Sequence, residues 1–539
     1  MSKNLTNSSN IKVLVNGDDV SLDFVNEMYT KAQADTLLNG KVNTQSGKGL
    51  STNDFTSALK TKLDGIETGA QKNIIEKILV NGIEQTILNK KVNLMVENTT
   101  IYGIKRALNS NSSSAWERTD DAVNLVANAT KDGSVVQNDF DNIYPWSDII
   151  TYNYDITNKV ITAYYGDSNF SFDGSNGEVL TMIPEFYWKR YRDDTYEYIK
   201  ISKYAIDGFI KSPAFSVGRY DTSLVDSKAS SRSGVVPEVL RSIVSFRTLS
   251  KALGTGFHQL DYHYFLIQLL YLVEYADYNS QSKLGSGLVN FRVSDSDKAL
   301  LAETSVNRII LETSRANAFV VGQQASIGTS AAWNWSVAKN RTITSKEAYD
   351  DGTISGTAVY FDGDPVNIAV GNCLWSTGQK SGHCDSLGMR SGCLANDGKN
   401  AIIYRGIENF FGNVFQWIDG INIKDYQAYI CYDPDSYVSD KFESPYEPLG
   451  YVNCSDTNVW AKQLGYDENN PLIALTTESG GSSSTYMCDT YYSSSGNRVA
   501  RVGGYYSSTA YAGAWCWAMN DASTGTYYSI GSRLLRIHS

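Results

Sequence analysis

Residues 404–420, YRGIENFFGNVFQWIDG, contain the pattern that decides the fold. Gly412 permits a tight turn, because glycine adopts backbone angles that other residues avoid. Phe415 and Trp417 are two positions apart, so on a strand both side chains lie on the same face. Asn413 can hold a neighbouring loop through the donors and the acceptor of its amide. The segment therefore predicts a framework strand that is reached through a tightly turned, hydrogen-bonded loop.

A second segment, residues 501–536, is RVGGYYSSTAYAGAWCWAMNDASTGTYYSIGSRLLR. Together the two segments resemble the R-G-x-x-N-x-x-G-N-V-W-E-W pattern and the closing R-G-G…G-F-R pattern of the formylglycine-generating-enzyme branch of the C-type lectin fold. Residues 182–191, MIPEFYWKRY, are similar to the opening strands of that family, so the resemblance covers roughly residues 175–539. It implies a C-type-lectin-like domain whose long loops are its working surface. The matched positions in the second segment are Gly503, Gly504, Gly531 and Arg533.

The resemblance does not extend to the chemistry of the enzymes. These use a pair of cysteines with copper to oxidise a substrate cysteine, whereas Cys516 has no second cysteine at short spacing. Gln416 replaces the acidic residue of the G-N-V-W-E-W pattern, which weakens the case for a calcium site. Asp433 and Asp435 offer carboxylates to a structural calcium ion, but the proline between them favours a solvated turn. We therefore expect no catalytic residue and no cofactor, with structural calcium as the alternative.

Residues 505–529, called the tyrosine tract below, lie between the framework glycines. Tyrosine and tryptophan provide large contact areas at low cost in side-chain entropy, and Ser, Asn and Gly adapt their hydrogen bonds, as in antibody loops. We expect a binding surface whose side chains can be replaced without unfolding the domain, in contrast to a buried Trp417. The alternative is a tyrosine-rich strand pair that packs internally. The predicted contact residues are Tyr505, Tyr506, Ser507, Ser508, Tyr511, Ala514, Trp515, Cys516, Trp517, Asn520, Tyr527, Tyr528 and Ser529.

The tyrosine tract also resembles the variable region of proteins that are diversified by retroelements. In that family adenine-directed mutagenesis rewrites asparagine codons, which leaves residues such as Tyr, Ser, Ala, Asp, Gly and Cys. The resemblance implies a fixed frame at Trp515, Trp517, Ile530 and Gly531. The variable positions that it implies are Tyr505, Ser507, Ser508, Tyr511, Cys516, Ala518, Asp521, Gly525, Tyr527 and Ser529.

The composition argues against several other classes of protein. The chain has 539 residues, a formal net charge of −11 and a pI near 5.0, so the phosphates of a nucleic-acid partner would be repelled. The seven cysteines contain no C-x-x-C pair, and neither a disulfide framework nor a zinc site is indicated. The N-terminal MSKNLTNSSN has no apolar core, and the apolar stretch 264–276 is shorter than the ~20 residues of a membrane span. We expect synthesis in a host cytoplasm, without a signal peptide or membrane insertion.

The first hundred residues differ in pattern from the rest. IKVLVNG at 11–17 and ILVNG at 78–82 are related, and each predicts a strand that ends in an Asn-Gly turn. The intervening residues 47–73 predict a short helix with an N-cap at Ser51 or Thr52. The apolar side chains of this helix are Phe55, Leu59, Leu63 and Ile66.

That apolar stripe is too narrow to be buried by its own segment, so we expect self-association around a threefold axis. Residues 47–73 and the preceding YTKAQADTLLNGKV resemble a segment that recurs in phage tail-fibre and upper-baseplate proteins. The alternative is a small α+β module docked on the main domain.

The remaining pattern predicts an α+β fold. Residues 107–140 are rich in Asn, Ser, Asp and Ala and indicate a neck, and aromatic strands are predicted at 149–154, 160–165, 178–183, 185–189 and 196–203. A strong helix is predicted from Asp261 to Gly285, and the chain after Gly285 is expected to be dominated by loops. We interpret His258 and His263, which flank this helix, as core or surface residues rather than metal ligands. The apolar residues of the helix are Phe265, Leu266, Leu269, Leu270 and Val273.

The predicted organisation has three parts: an attachment and oligomerisation region of short strands and helices at 1–106, a neck at 107–174 and a receptor-binding domain at 175–539. The hypothesis for function is a homotrimeric phage tail-fibre tip in the virion. Its N-terminus would bind other tail or baseplate proteins, and its tyrosine tract would bind a protein or glycan receptor on the host cell. The alternatives are a tail-associated enzyme, either a polysaccharide depolymerase or a formylglycine-type oxidase, and a variable protein displayed on a bacterial surface.

Overall fold

The computed structural model describes residues 100–329 and 332–538. Before residue 100 it describes residues 11–15, 18–22, 32, 36, 57–65, 78–80, 83–85, 87–88 and 91–92. The chain divides into two compact units, Met1–Asn98 and Thr99–Ser539.

The first unit contains a four-stranded sheet. The two related segments predicted as strands are confirmed as Ile11–Val15 and Ile78–Val80, and they pair with each other in antiparallel register with Val13 opposite Ile78. Asp18–Leu22 and Ile83–Gln85 complete the sheet on its two sides, and Ile87–Leu88 pairs with Lys91–Val92 in a separate ribbon.

The predicted helix of the first unit is confirmed at Ser57–Asp64. Its predicted caps Ser51 and Thr52, and the stripe residues Phe55 and Ile66, lie outside the described residues, as does the side chain of Leu59. Leu63, the stripe residue whose side chain is described, is 58% exposed, which leaves its apolar surface open to a partner.

The prediction of an α+β fold is wrong, because strands account for 40% of the structure and helices for 12%. The sequence pattern predicted mostly loops after Gly285, and too few strands were expected there. Long strands such as Ala338–Asp350 carry polar residues on an exposed face, so they lack the apolar runs by which buried strands are recognised. Glycine, serine and asparagine in this half of the chain belong to strands as well as to loops.

Residues 107–174, for which the sequence predicts a neck, contribute strands to two sheets of the second unit. The five aromatic strands predicted from the sequence are confirmed within these sheets. The six-stranded sheet has the order Val160–Tyr164, Ile150–Asp155, Glu178–Ile183, Phe215–Gly218, Leu534–Ile537, Phe257–Gln259. The first five-stranded sheet has the order Ile210–Ser212, Phe186–Arg192, Tyr196–Ser202, Ile101–Ala107, Trp116–Asp120.

Two further sheets surround the tyrosine tract. The nine-stranded sheet, called the central sheet, follows the order Glu447–Tyr451, Gln427–Ile430, Phe415–Lys424, Asn497–Gly503, Gly513–Asp521, Thr490–Ser493, Val459–Asp467, Asn470–Ser479, with Ile530–Gly531 beside Phe415–Lys424. The side sheet, which encloses its own hydrophobic core, follows the order Arg308–Leu311, Ser355–Phe361, Ala338–Asp350, Gln324–Gly328, Cys373–Ser376. Small pairings join Ser223–Val225 to Lys228–Ser230 and Glu303–Val306 to Val366–Ile368. In a small three-stranded sheet, Ile402–Tyr404 lies between Gly392–Cys393 and Ile407–Glu408.

The predicted strong helix is His263–Tyr275, and every one of its residues is buried. It is shorter than expected, because Ala276 adopts a left-handed conformation with φ of 52° and ends it. The polar residues that follow form a separate short helix, Ser280–Leu284, in which the Asn279 side chain accepts a hydrogen bond from the Ser282 amide at 2.8 Å. The other α-helices are Ile243–Lys251 and Thr313–Ala316, and 3₁₀ turns occur at Asp139–Asn142, Trp146–Asp148, Asp385–Leu387, Pro434–Ser436 and Thr509–Tyr511.

The helix His263–Tyr275, called the central helix, is joined to the first motif, residues 404–420, by a buried ion pair. Both carboxylate oxygens of Glu274 accept hydrogen bonds from the Arg405 guanidinium, each at 2.8 Å. Tyr404 and Asn138 donate to the same carboxylate at 3.0 and 2.7 Å. A buried carboxylate needs such a complete set of donors, because an unpaired charge inside a protein is strongly destabilising.

The first motif forms the framework strand that the sequence predicts. Trp417 is fully buried on Phe415–Lys424, and its indole donates to the Arg241 carbonyl at 3.2 Å. The side-chain oxygen of Asn413 accepts a hydrogen bond from the main-chain N–H of Gln379 at 2.7 Å, and its side-chain nitrogen donates to the Asp221 carboxylate at 3.0 Å. Asn413 therefore holds a neighbouring loop in place, as predicted.

Arg533 joins the two motifs in the core. Its guanidinium donates to Gln416 Oε1 at 3.0 Å and to Asp221 Oδ1 at 3.0 Å. It also donates to four main-chain carbonyls, those of Gly218, Arg219, Glu408 and Asn409. Gln416, where the family pattern has an acid, thus serves as an acceptor for the closing arginine.

We predict that Arg533→Ala lowers the free energy of unfolding by about 3–5 kcal/mol, because it leaves the buried Asp221 carboxylate without its charged partner. Urea unfolding of the full chain measures the change. Arg315→Ala is the matched control, since that side chain is 40% exposed, and its cost should stay within about 0.5 kcal/mol. Equal losses in the two variants would show that Arg533 does not hold the core.

Candidate functional site

The tyrosine tract begins and ends on the central sheet. The strand Asn497–Gly503 pairs with Phe415–Lys424 on one side and with Gly513–Asp521 on the other. Between the last two strands Gly503 and Gly504 have φ of 94° and 80°, and a side chain on Gly504 would lie 2.5 Å from the Ala512 Cβ. The turn therefore requires glycine and projects residues 505–511 from the sheet as a loop.

Most of the predicted contact residues line one concave surface, called the tyrosine concavity, with a volume of about 720 Å³. This volume lies within the range of ligand-binding clefts. The predicted residues that line it are Tyr505, Ser507, Ser508, Tyr511, Cys516, Trp517, Asn520, Tyr527, Tyr528 and Ser529. The fold thus brings two loops and one strand of the tract together around a single space.

Tyr506, Ala514 and Trp515 do not line the concavity, so the prediction that they are contact residues disagrees with the structure. Tyr506 and Ala514 are fully buried, and Trp515 is 6% exposed. The Trp515 ring packs edge-on against Tyr278 at 4.9 Å, and the Ala514 carbonyl accepts from the Tyr264 hydroxyl at 2.9 Å. Ala514 and Trp515 belong to the core because the strand Gly513–Asp521 packs on the helix His263–Tyr275. Tyr506 belongs to it because its ring packs against Trp333 and Tyr505.

The lining residues differ in how far a ligand can reach them. Tyr511 and Tyr527 are 46% and 40% exposed. Cys516 and Trp517 form the floor and are each 3% exposed, and the Trp517 ring stacks on Phe265 at 4.9 Å. The exposed tyrosines of the two loops are therefore the side chains that a ligand could reach, and the strand between them forms the base.

Three tryptophans that the sequence did not predict to lie at this site, Trp333, Trp335 and Trp375, form what is called the tryptophan wall below. Trp335 and Trp375 meet the Tyr528 ring edge-on at 4.6 and 5.3 Å, and Trp333 lies 6.0 Å from the Tyr505 ring. Trp375 is on the side sheet, and the other two are in the connection between two of its strands. The closely spaced tryptophans of AAWNWSV at 331–337 were the available signal, but nothing in the sequence placed them beside the tract.

An ion pair is the charged part of the lining. Arg501 Nε lies 2.9 Å from Asp521 Oδ2, and the guanidinium carbon lies 4.2 Å from the centroid of the Phe415 ring. The Arg501 side chain is 13% exposed and that of Asp521 is 6% exposed, so both charges are largely removed from water. The concavity is consequently aromatic and hydrogen-bonding in character, with its one positive charge compensated.

Cys516 lacks the features of a reactive thiol. Burial, together with the nearby Asp489 carboxylate, raises its pKa to about 12. All seven cysteines of the chain are free, and a thiol at this position stays protonated at neutral pH.

The carboxylates proposed as a calcium alternative form a turn. Asp433 accepts hydrogen bonds from the Asp435 amide at 3.1 Å and from the Ser436 hydroxyl at 2.5 Å. Within residues 100–329 and 332–538 no group of three His, Cys, Asp or Glu side chains converges as metal ligands.

We predict that Tyr506→Ala destabilises the chain by about 3–5 kcal/mol, because it empties the space of a fully buried ring. Tyr506→Phe keeps the ring and removes a hydroxyl that has no hydrogen-bond partner among the described residues, so its stability should equal or exceed that of the parent. Thermal and urea unfolding measure both variants. Tyr511→Ala, at a 46% exposed position, is the control and should change stability by less than about 0.5 kcal/mol. A stable Tyr506→Ala variant would return this residue to the contact surface.

No protein-family model matches the sequence, and no curated protein sequence is significantly similar to it. Among the residues that the structure describes, no helix has the length and apolar character needed to cross a membrane. The function is therefore inferred from the side chains that line the tyrosine concavity.

Proposed function

We propose that the protein is the receptor-binding tip protein of a bacteriophage tail fibre and that it acts by binding, not by catalysis. In this proposal the tyrosine concavity contacts a protein or glycan on the host cell surface. The observation that carries the proposal is the convergence of the tyrosine tract. Tyr505, Ser507, Ser508 and Tyr511 are separated by a strand from residues 526–529, yet both groups line one space.

The chemistry of the lining supports recognition of varied surfaces. Tyrosine rings give contact area, and the neighbouring hydroxyls and amides of Ser507, Ser529 and Asn520 give adaptable hydrogen bonds. The buried thiol of Cys516 supports binding over thiol chemistry, because the thiolate is the reactive form.

The distribution of burial supports the proposal that the tract is diversified. Trp515, Ile530 and Gly531, which the resemblance to retroelement-diversified proteins implies to be fixed, are buried. Tyr511 and Tyr527, which it implies to be variable, are the most exposed tyrosines of the tract. Four other positions that it implies to be variable are buried, namely Ser508, Cys516, Ala518 and Asp521, so the proposal is that new side chains are accepted chiefly at the exposed loop positions.

The first unit is proposed to attach the fibre to other tail or baseplate proteins and to hold three copies together in the virion. The exposed Leu63 on the helix Ser57–Asp64 supports this assignment, since an apolar side chain on a short isolated helix gains stability by packing against a partner.

We predict that Tyr527→Ala and Tyr511→Ala each weaken adsorption of the purified chain to cells of the phage's host by about thirtyfold. This corresponds to the loss of ~2 kcal/mol that an aromatic anchor contributes at a desolvated contact. Both side chains are more than a third exposed, so the thermal melting curves should match that of the parent.

Tyr451→Ala is the matched control for adsorption. Tyr451 is 65% exposed on the strand Glu447–Tyr451 and does not line the concavity. Unchanged adsorption in the two tract variants, with folding intact, would contradict the assignment of the concavity as the receptor site.

We predict that the chain is a homotrimer. Light scattering on the full-length protein should return three times the chain mass of 59.5 kDa. Leu59→Lys/Leu63→Lys should reduce the measured mass to that of one chain, because two charges cannot be buried in an apolar contact. Lys62→Ala on the same helix is the control. A parent protein that is monomeric at micromolar concentration would contradict this prediction.

A further inference from the structure

A second concavity, called the Trp188 pocket, has a volume of about 290 Å³ and shares no lining residue with the tyrosine concavity. It lies where the start of the central helix meets the first five-stranded sheet and the hairpin between Val459–Asp467 and Asn470–Ser479. This volume is at the lower end of the range for small-ligand sites. A space of this size suits a ligand group of about one six-membered ring.

His263 brings a hydrogen-bonding nitrogen to this pocket. The residue is 4% exposed, and its ring Nδ1 lies 2.6 Å from Asp261 Oδ1. The other carboxylate oxygen of Asp261 accepts from the Tyr437 hydroxyl at 2.7 Å. A carboxylate is an acceptor, so Nδ1 carries a proton and Nε2 is the ring nitrogen left to pair with a ligand. No described residue donates to that Nε2.

Trp188 brings the complementary group. Its side chain lines the same pocket and the residue is 3% exposed, yet no described residue accepts a hydrogen bond from the indole Nε1–H. Trp188 and His263 therefore each contribute one hydrogen-bonding nitrogen to a single space. A hydroxyl group can pair with both of them, because it donates and accepts.

The walls of the pocket are aromatic and carry no net charge. The Tyr262 ring stacks on His263 at 4.2 Å and meets the Tyr432 ring edge-on at 4.9 Å. Tyr432 is 38% exposed, so its ring is accessible at the mouth. The ammonium group of Lys211 at the rim is paired with Glu185 at 2.8 Å. This lining favours a neutral ring with an apolar face and disfavours a free anion or cation.

We propose that the Trp188 pocket is a second binding site, which takes one neutral pyranose ring of a saccharide. The ring's C–H face packs on Tyr262 and Tyr432, and one hydroxyl accepts from Trp188 Nε1 and forms a second hydrogen bond with His263 Nε2. A purely apolar occupant makes no hydrogen bond with either nitrogen, and the lining offers a charged sugar only Lys211, which Glu185 already neutralises. This site is independent of the receptor-binding function proposed for the tyrosine concavity.

Saturation-transfer NMR on the full-length protein tests the site, with the methyl glycosides of glucose, galactose and N-acetylglucosamine as probes. At least one probe should receive saturation on its ring protons. Tyr432→Ala should abolish the signal, since it removes an accessible wall without emptying the core. Trp188→Phe keeps a ring and removes the N–H donor, and it should weaken binding roughly five- to tenfold.

Two controls make the result specific. Tyr451→Ala and the tract variant Tyr511→Ala should leave the signal unchanged, because neither residue lines this pocket. Tetrahydropyran, which has the ring without the hydroxyls, should bind more weakly than the best glycoside. The proposal is overturned if no glycoside binds the folded parent, if the signal survives in Tyr432→Ala, if Tyr511→Ala removes it, or if tetrahydropyran binds as tightly.

Discussion

The Arg533 guanidinium is the point at which the second unit is held together. It reaches Asp221, Gln416 and four carbonyls from segments that are far apart in the sequence. Burying an arginine is costly, and it is tolerated only where every N–H finds an acceptor in the right plane. The planar fork of the guanidinium meets this demand, and an ammonium group would not. The positions of the framework strand, the loop at Asn409 and the end of the six-stranded sheet are therefore fixed relative to one another.

Because of this arrangement, the tyrosine tract is held in the fold at both of its ends. The strand Asn497–Gly503 precedes the tract inside the central sheet, and Arg533 follows it in the core. The loops between these anchors contribute little to the core apart from Tyr506, so their other side chains can face the concavity. The tryptophan wall packs against Tyr505 and Tyr528, with Trp333 lining the concavity itself, and it gives these tyrosines a rigid support.

Local patterns in the sequence predicted the parts of the fold that depend on local chemistry. The framework strand with a buried Trp417, the loop-holding amide of Asn413 and the five aromatic strands are all confirmed. The errors arose where distant segments decide the outcome. Tyr506 has the same composition around it as Tyr505, yet it is buried because the tryptophan wall packs over it. The predominance of strands was missed because half-exposed strands look polar, and the helix break at Ala276 has no glycine or proline to announce it.

The position of the last strand, Leu534–Ile537, determines which mutations in the codons of the tract still give a folded protein. Leu534–Ile537 lies inside the six-stranded sheet, between Phe215–Gly218 and Phe257–Gln259, and it follows directly on Arg533. Any insertion or deletion in the codons of the tract that shifts the reading frame replaces both the arginine and this strand. The six-stranded sheet then lacks an interior member, and an incompletely folded chain is degraded or aggregates. Substitutions in the tract leave the anchor intact, so the fold tolerates altered side chains there but not a shifted reading frame.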